Sequence, residues 1–367
     1  MFSNPFPNAF GLDIGDLSIK AVQLRKCGLN HKLPRYELVT CRGLNLPPGL
    51  IVNGELEKPE EVRKYIQKLI NGTSKQQKPI HSPWVIAALP ETKSFIKLIQ
   101  IKKTTEELID EDIINTAKKH IPFDEDNYYL QWQVIAPTCP TCKTGILIGA
   151  APKIMSDSYT YLLESLGLGV VALETEALSL ARAMVTASKK YDNEARAILD
   201  IGATGASLIV FDNDIVQFST SIPFSGEILT TAISQKLGMS YEDAEEAKKR
   251  GGLDYKKTEN KVWPIIVEQT NGLVNSIHDA FNFYYSHFPE ANKVTRVIMC
   301  GGGANLERLD RIISAQLKII ARPGLPWKNL SAKRDIPVTK EASLSYATAI
   351  GLALRAADNP FFTKHII

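Results

Sequence analysis

Two aspartates, Asp13 and Asp200, occupy the same position in a stretch that occurs twice in the chain. Residues 11–24 read GLDIGDLSIKAVQL, and residues 198–211 read ILDIGATGASLIVF. In each copy an apolar run leads into Asp-Ile-Gly, a short polar turn follows, and a second alternating run begins. This pattern predicts a β-hairpin with a carboxylate at the end of its first strand. Two unrelated turns are the alternative, but the length of the match favours a duplication.

The turns of both copies carry groups that suit phosphate oxygens. Gly15 and Gly202 allow a sharp corner and a close approach by another group. Ser18 in the first copy and Thr204 in the second offer hydroxyls, and the turns offer backbone N–H groups. Two such hairpins facing each other would hold a phosphate chain from both sides, and their aspartates would hold a hydrated Mg²⁺.

A third candidate site is a glycine-rich turn late in the chain. A predicted strand over residues 294–300 ends in Gly301, Gly302, Gly303 and Ala304, and a helix follows. There the backbone can lie against a nucleotide, and the helix N-terminus favours its phosphate. Such turns are also common in α/β proteins of other kinds, so the turn supports a nucleotide site only together with the hairpins.

Two pairs of charged residues on predicted helices have an ordinary and a functional explanation. Glu245 and Lys248 lie one helical turn apart, where a solvated ion pair would be unremarkable. Glu174 and Glu176 open another helix, where the helix dipole favours carboxylates in any case. The residues alone leave both explanations open.

Composition excludes several classes of function. The 367 residues are 44% apolar and 23% charged, with a net charge of +3, which is too mild to indicate a nucleic-acid partner. No apolar run reaches membrane-spanning length, and the N-terminus lacks the pattern of a signal peptide.

The five cysteines suggest a reducing cytoplasm. Cys139 and Cys142 have metal spacing, but no second pair accompanies them, which favours an ordinary loop or a local dithiol.

A compact α+β unit is predicted between about residues 84 and 150. Four strand candidates surround a helix over 105–120, which a capping-box sequence at Thr104–Glu107 starts. Farther on, the longest predicted helix runs from about Trp263 to Phe288, and its apolar stripe is typical of a core-facing helix.

At this point the chain resembles the actin-like ATPases, whose two related lobes each open with a phosphate-binding hairpin. Within residues 84–135, an Ala-Leu-Pro turn, an acidic helix and Ile-Pro-Phe before a strand resemble the PilM proteins of type IV pilus assembly. Residues 222–249 and 341–354 are similar to PilM and FtsA alike. The resemblance implies an actin-like α/β fold with two ribonuclease-H-like lobes and an inserted α+β subdomain. The implied division is a first lobe at 1–83, the inserted subdomain at 84–152, the rest of the first lobe and a connecting helix at 153–194, and a second lobe at 195–367, with its subdomain 2B at roughly 223–292.

The resemblance also implies roles for single residues. It places ATP phosphates against Asp13, Gly15, Ser18 and Lys20 in the first lobe, and against Asp200, Gly202 and Thr204 in the second. It makes Asp13 and Asp200 the Mg²⁺ site. It places the adenosine against Glu245, Lys248 and the turn Gly301, Gly302, Gly303 and Ala304. Glu174 or Glu176 would orient the attacking water, and the resemblance does not say which.

For the whole protein the resemblance implies an ATP-binding component of pilus or related secretion machinery. It would bind the cytoplasmic tail of a PilN-like inner-membrane protein, and so lie at the inner membrane without inserting into it. A motor ATPase and a platform protein would be further partners, and self-association is left open. An FtsA-like division protein is one alternative, although the short tail at residues 359–367 differs from the amphipathic membrane helix of that family. A sugar or acetate kinase is another, but no additional aspartate motif supplies its general base.

Two further expectations concern turnover and the partner. Asp16 and Leu17 stand where the resembled family has small hydroxyl residues, and a carboxylate beside a triphosphate is repulsive unless Mg²⁺ or Lys20 compensates. We therefore expect slow ATP hydrolysis or none. An extended peptide is expected to dock where the inserted unit joins the first lobe, contacting Ile121 and Phe123. The alternative is that both side chains belong to the core.

Overall fold

The computed structural model describes residues 4–27, 35–74, 76–121, 124–135, 144–288, 290–330 and 336–358. The first lobe and the inserted unit come first in the chain. Their elements are β1 (Phe10–Gly15), β2 (Ser18–Cys27), β3 (Arg35–Asn45), β4 (Ile51–Val52), β5 (Glu55–Leu56), α1 (Pro59–Asn71), β6 (Trp84–Leu89), β7 (Phe95–Ile101), α2 (Asp110–His120), β8 (Tyr128–Ile135), β9 (Thr144–Pro152), α3 (Lys153–Glu164), β10 (Gly169–Thr175) and α4 (Glu176–Met184).

The second lobe follows, and the last helix then returns to the first lobe. The elements from residue 195 onward are β11 (Ala195–Ile201), β12 (Ala206–Asp212), β13 (Ile215–Ile222), α5 (Gly226–Leu237), α6 (Tyr241–Gly251), α7 (Trp263–His287), β14 (Val294–Cys300), α8 (Leu309–Leu317), β15 (Ile320–Pro323), α9 (Lys340–Ser343) and α10 (Ala347–Ala357). The long helix predicted from the apolar stripe is α7, whose buried positions face the core of the second lobe.

Both predicted hairpins are present. Strands β1 and β2 pair antiparallel with Asp13 opposite Lys20 and Gly15 opposite Ser18. Strands β11 and β12 pair in the same way, with Asp200 opposite Ser207. Because residues opposite each other in a sheet point to the same face, each aspartate shares a face with a polar partner.

Among the described residues, two large sheets organise the molecule. A five-stranded sheet has the order β10-β6-β1-β2-β3, and an eight-stranded sheet has the order β15-β14-β11-β12-β13-β7-β9-β8. Strand β6 pairs parallel with β1 and β10, so residues 84–89 lie in the sheet of the first lobe. The inserted unit, which the sequence analysis began at residue 84, therefore begins after Leu89. Its strands β7, β9 and β8 extend the sheet of the second lobe instead.

Helices α4 and α10 lie between the two sheets and hold the lobes together. A Cβ atom on Gly351 would lie only 1.8 Å from the carbonyl oxygen of Ser179, so glycine permits this close approach. The buried residues of both helices share one apolar cluster with strands of both lobes. The first lobe and the second lobe each have a further core of their own.

The start of helix α2 differs from the predicted one. Helix α2 begins at Asp110, because the side chain of Asp112 accepts a hydrogen bond from the backbone N–H of Ile109 and caps the helix there. The Thr104 N–H is bonded to Glu107 in a turn that precedes the helix. Among the residues that the structure describes, no helix combines the length and apolar character that crossing a membrane requires.

Candidate functional site

The first hairpin places a carboxylate, an amine and a hydroxyl in one small cluster. The Nζ atom of Lys20 lies 3.5 Å from Oδ2 of Asp13 and donates to Oγ of Ser18 at 2.7 Å. Burial raises the pKa of Asp13 above its ordinary value, and the positive charge of Lys20 opposes this shift. The cluster presents the same group types that the sequence analysis assigned to the first phosphate site.

The second hairpin brings Asp200 opposite this cluster. Burial raises the pKa of Asp200 to about 6, a hydrogen bond with the Cys300 thiol opposes the rise, and the charge of Asp13 adds to it. Because charges shift each other's pKa only when they are close, the two carboxylates lie near each other although they belong to different lobes. The region between the two hairpins is called the cleft. The turn beside Asp200 is tight, since the Gly202 N–H bonds to the carbonyl of Gly205 at 2.8 Å. Thr204 lies in this turn and is partly exposed.

The structure separates the two glutamates that the sequence analysis could not distinguish. Glu174 is buried, and its carboxylate accepts from Nη1 of Arg182 at 2.8 Å and from Arg355. Burial alone would raise the pKa of Glu174, but the two arginines bring it below the usual value. This side chain belongs to an ion-pair cluster within the first lobe and has no group left for the cleft.

Glu176, by contrast, lies in the first turn of α4, near the aspartates of both hairpins. Burial raises its pKa well above the usual value, and three neighbouring carboxylates raise it further. These carboxylates belong to Asp13, Asp200 and Glu91. Of the two candidates, Glu176 is therefore the one that the fold brings to the aspartates.

Glu91 is a cleft residue that the sequence analysis missed. It lies in the turn after β6, and its carboxylate accepts from the backbone N–H of Ala177 at 3.2 Å and from the hydroxyl of Ser219. Burial raises the pKa of Glu91 to about 7, and Asp200 contributes to the rise. A lone glutamate in a predicted turn carries no sequence signal of such a position.

The carboxylates of this cleft fit a hydrated divalent cation. The clustered groups are Asp13, Glu91, Glu176 and Asp200. The positive charge of Lys20 opposes the rise in the pKa values of Asp13, Glu176 and Asp200. Within the described ranges, no three acidic, histidine or cysteine side chains come close enough to enclose a metal ion. Mg²⁺ commonly keeps several waters and takes one or two carboxylates plus substrate phosphates, which suits two facing aspartates.

The glycine-rich turn follows β14 and lies against the second hairpin. A Cβ atom on Gly301, whose φ is 78°, would approach the carbonyl oxygen of Ile201 to 2.3 Å, and one on Gly303 would meet the Ile201 side chain at the same distance. Gly302 is different, because a Cβ there would meet nothing within 4 Å. The turn itself is a short 3₁₀ segment at Gly302–Asn305, in which Ala304 is buried, and the predicted helix follows it as α8. Packing therefore requires glycine at two positions and leaves Gly302 facing open space.

Glu245 and Lys248 are connected to the second hairpin rather than forming a solvated pair. Nζ of Lys248 lies 2.6 Å from Oε2 of Glu245 and donates to the carbonyl of Gly226 and to Oγ of Thr230 at 2.9 and 2.8 Å. Gly226 in turn donates its N–H to the carbonyl of Gly202 at 3.2 Å. The pair is thus part of the same wall of the cleft as the second hairpin.

Asp16 does not point at the first phosphate site. Its two carboxylate oxygens accept from the backbone N–H groups of Asn53 and Gly54, each at 3.0 Å, and so cap the turn between β4 and β5. The expectation of slow hydrolysis was based on repulsion between Asp16 and a triphosphate, and this orientation removes that basis.

The predicted peptide contact at Ile121 is not supported. Ile121 is 5% exposed and belongs to the core of the inserted unit together with Ile113 and Ala117. The alternative that this side chain is core is therefore the correct one, because the end of α2 turns its apolar face inward. Phe123, Cys139 and Cys142 lie outside the described residues.

Comparison with known proteins agrees with this architecture. A solved PilM–PilN type IV pilus biogenesis complex contains a chain with 23% identity and a TM-score of 0.78, covering 96% of this chain and 100% of that one. The ethanolamine utilization protein EutJ from Carboxydothermus hydrogenoformans aligns with 13% identity and a TM-score of 0.56 over 95% and 90% of the two chains. MreB5 of Spiroplasma citri bound to AMPPNP aligns with 11% identity and a TM-score of 0.53 over 94% and 95%. These likenesses show an actin-like fold.

The family itself is shown by a match along nearly the whole chain. Residues 11–357 match the family described as type IV pilus assembly protein PilM. The match includes both hairpins, the inserted unit and the glycine-rich turn, and it does not favour the FtsA-like or kinase alternatives. The chain therefore belongs to the PilM family of type IV pilus assembly proteins.

Proposed function

We propose that this protein binds ATP with Mg²⁺ in the cleft between its two hairpins. The observation that carries the proposal is the pair of equivalent hairpins, which place Asp13 opposite Lys20 and Asp200 opposite Ser207. The charge of Asp13 also raises the pKa of Asp200, so the two carboxylates repel each other. A cation between them would remove this repulsion. The MreB5 structures with AMPPNP and with ADP support the proposal, since that protein shares the fold and binds nucleotide.

The roles of the other residues follow from their positions. Lys20, Ser18 and the turn at Thr204 would contact phosphate oxygens, and Gly302 would allow the backbone to approach the nucleotide. Glu245 and Lys248 would lie beside the ribose and adenine. Glu176, the cleft glutamate, would orient a water molecule for attack. This residue would therefore affect the rate of ATP hydrolysis, whereas the residues above would affect ATP binding.

Replacing Gly302 with valine tests this proposal. Because a Cβ at this position meets no protein atom, Gly302→Val is expected to fold normally and yet to occupy space needed by the nucleotide. We expect ATP–Mg²⁺ affinity to fall by at least about tenfold, or about 1.4 kcal/mol. Isothermal titration calorimetry measures the affinity, and circular dichroism verifies the fold.

The control is Gly272→Val on α7, where a Cβ also meets nothing within 4 Å and the position is exposed. This control should bind ATP–Mg²⁺ as the wild type does. Equal affinity in the folded Gly302→Val variant and the control would show that the nucleotide lies elsewhere.

We infer that the partner is the cytoplasmic tail of a PilN-like inner-membrane protein, which would hold this protein at the inner membrane and connect it to the motor ATPase and platform protein. The solved PilM–PilN complex supports this inference. The inserted unit ends the eight-stranded sheet at β8, whose outer side pairs with no described strand. Tyr129 and Val134 of β8 are exposed. An extended peptide could add to this edge and place side chains beside them.

A charge on this edge should prevent peptide capture. Val134→Asp is expected to reduce capture of a PilN-like peptide by at least about tenfold, because a desolvated carboxylate in the interface is costly. The matched control is Val39→Asp, since Val39 is equally apolar and lies exposed on β3, the edge strand of the other sheet. Fluorescence anisotropy with a labelled peptide gives the affinity. Undiminished capture by Val134→Asp, or equal loss in both variants, would exclude β8 as the docking edge.

A further inference from the structure

We propose that Glu91 is a positioning residue that connects the inserted unit to the nucleotide cleft, by tying the first turn of α4 to strand β13 of the second lobe. The proposal rests on the proposed nucleotide site and adds a route by which events at the inserted unit reach it. Glu91 would act through Glu176, its neighbour at the cleft, and it is not proposed to contact the nucleotide.

The backbone around Glu91 is held firmly. The carbonyl oxygen of Pro90 accepts from the N–H groups of Lys93 and Ser94, each at 3.2 Å, and from Oγ of Ser94 at 3.0 Å. This turn joins β6, in the sheet of the first lobe, to β7, the first strand of the inserted unit. Glu91 therefore lies on the segment that connects the first lobe to the inserted unit.

The carboxylate of Glu91, on the turn between β6 and β7, contacts both helix α4 and strand β13. One oxygen accepts from the N–H of Ala177, which follows Glu176 in the first turn of α4, and the other accepts from the hydroxyl of Ser219 on β13. Ser219 is the neighbour of Phe218, which among the described residues forms the bridge from β13 to Lys97 of β7. Lys97 also lies over the ring of Phe283, 5.0 Å from its centroid. Both the hydrogen bond from Ser219 to Glu91 and the Phe218–Lys97 bridge thus connect the segment around β7 to strand β13 of the second lobe.

The charge environment of Glu91 is unusual for a purely structural residue. Glu91 is 7% exposed, and within the described part of the chain no cation forms an ion pair with it. The charged groups facing it are carboxylates, namely Asp200 on β11 and Glu176 on α4. A buried carboxylate without a cation is costly, and a neutral glutamine could make both hydrogen bonds without that cost. Such unfavourable arrangements are typical of functional sites.

The proposal predicts different behaviour for two substitutions. Glu91→Ala removes both hydrogen bonds, so the first turn of α4 and β13 lose their connection. Glu91→Gln keeps an acceptor for Ala177 and a donor for Ser219, but it cannot ionise. Glu57→Gln serves as the control, because Glu57 is exposed on the first lobe.

The first measurement is hydrogen–deuterium exchange of the full chain without nucleotide. We expect the segments containing Ala177 and strand β13 to exchange at least about tenfold faster in Glu91→Ala, and at close to the wild-type rate in Glu91→Gln and Glu57→Gln. Helix α7 should be unchanged in all variants. Unchanged exchange at Ala177 and β13 in Glu91→Ala would overturn the proposal, whether or not ATP binds.

The second measurement is the affinity for ATP–Mg²⁺. We expect Glu91→Ala to bind at least about tenfold more weakly than the wild type, because the first turn of α4 loses its connection to β13. Glu91→Gln, which keeps both hydrogen bonds, and the control Glu57→Gln should bind as the wild type does.

These outcomes separate the two proposals. A wild-type protein that does not bind ATP–Mg²⁺ contradicts the proposed function, while the exchange measurement still decides the link through Glu91. Wild-type binding that persists undiminished in Glu91→Ala contradicts a link from Glu91 to the nucleotide site and overturns the proposal.

Discussion

Replacing Glu174 with glutamine is expected to lower the free energy of unfolding by about 3 kcal/mol. The substitution leaves Arg182 and Arg355 facing a neutral group, although both are largely buried with the carboxylate. Breaking a buried ion pair by neutralising one partner typically costs about 3–5 kcal/mol, and the partial exposure of both arginines places the effect near the lower end. Urea unfolding followed by circular dichroism measures it.

The same experiment on Glu176 should give the opposite sign. Its pKa is raised in the folded protein, so its charge is a burden that glutamine removes. We expect Glu176→Gln to unfold at the same urea concentration as the wild type or a higher one. Similar destabilisation by both substitutions would contradict the assignment of Glu174 to structure and Glu176 to the cleft.

The contribution of Glu174 also has a defined pH dependence. Its pKa is lower in the folded protein than the ordinary value of 4.5. The stabilisation is therefore complete above that ordinary value and is lost as the pH falls through the lowered native pKa. The difference between the wild type and Glu174→Gln should accordingly shrink in strong acid and stay constant at neutral pH.

Replacing Asp200 with asparagine is expected to affect stability and nucleotide binding in opposite directions. The native pKa of Asp200 is about 6, above the ordinary 3.8, so ionisation destabilises the folded state as the pH rises between these values. At about pH 8 the full penalty applies, and Asp200→Asn should stabilise the nucleotide-free protein by about 3 kcal/mol. Without the carboxylate, affinity for ATP–Mg²⁺ should fall by at least about tenfold.

Thermal unfolding with and without ATP–Mg²⁺ distinguishes the two effects in one series. Nucleotide should raise the melting temperature of the wild type strongly and that of Asp200→Asn only slightly. Asp279→Asn is the control, since Asp279 is exposed on α7. If Asp200→Asn destabilises the nucleotide-free protein, the cleft carboxylates do not repel each other.

The local features of this protein were predictable because they repeat or have a fixed period. The duplicated Asp-Ile-Gly stretches predict both hairpins, and the apolar stripe after Trp263 predicts α7, since each pattern reflects contacts between residues near in the chain. The Ala-Leu-Pro turn, the acidic helix and the Ile-Pro-Phe motif within residues 84–135 also indicated the family that the match over residues 11–357 shows.

The cleft was decided by contacts between residues far apart in the chain. Glu91 meets Ala177 and Ser219 across 86 and 128 positions, and no local pattern encodes such a meeting. The same holds for the turn of Asp16 towards Asn53, which lies 37 positions away.

Sequence by itself thus determined the two hairpins, their aspartates and the family, because these depend on short-range order. Only the tertiary structure decided that β6 belongs to the first sheet, that Glu176 rather than Glu174 faces the aspartates, and that Ile121 is core. Two glutamates separated by one residue have nearly the same sequence context. What distinguishes them is the position of Arg182 and Arg355 on one side and of the opposing lobe on the other, and packing alone sets those positions.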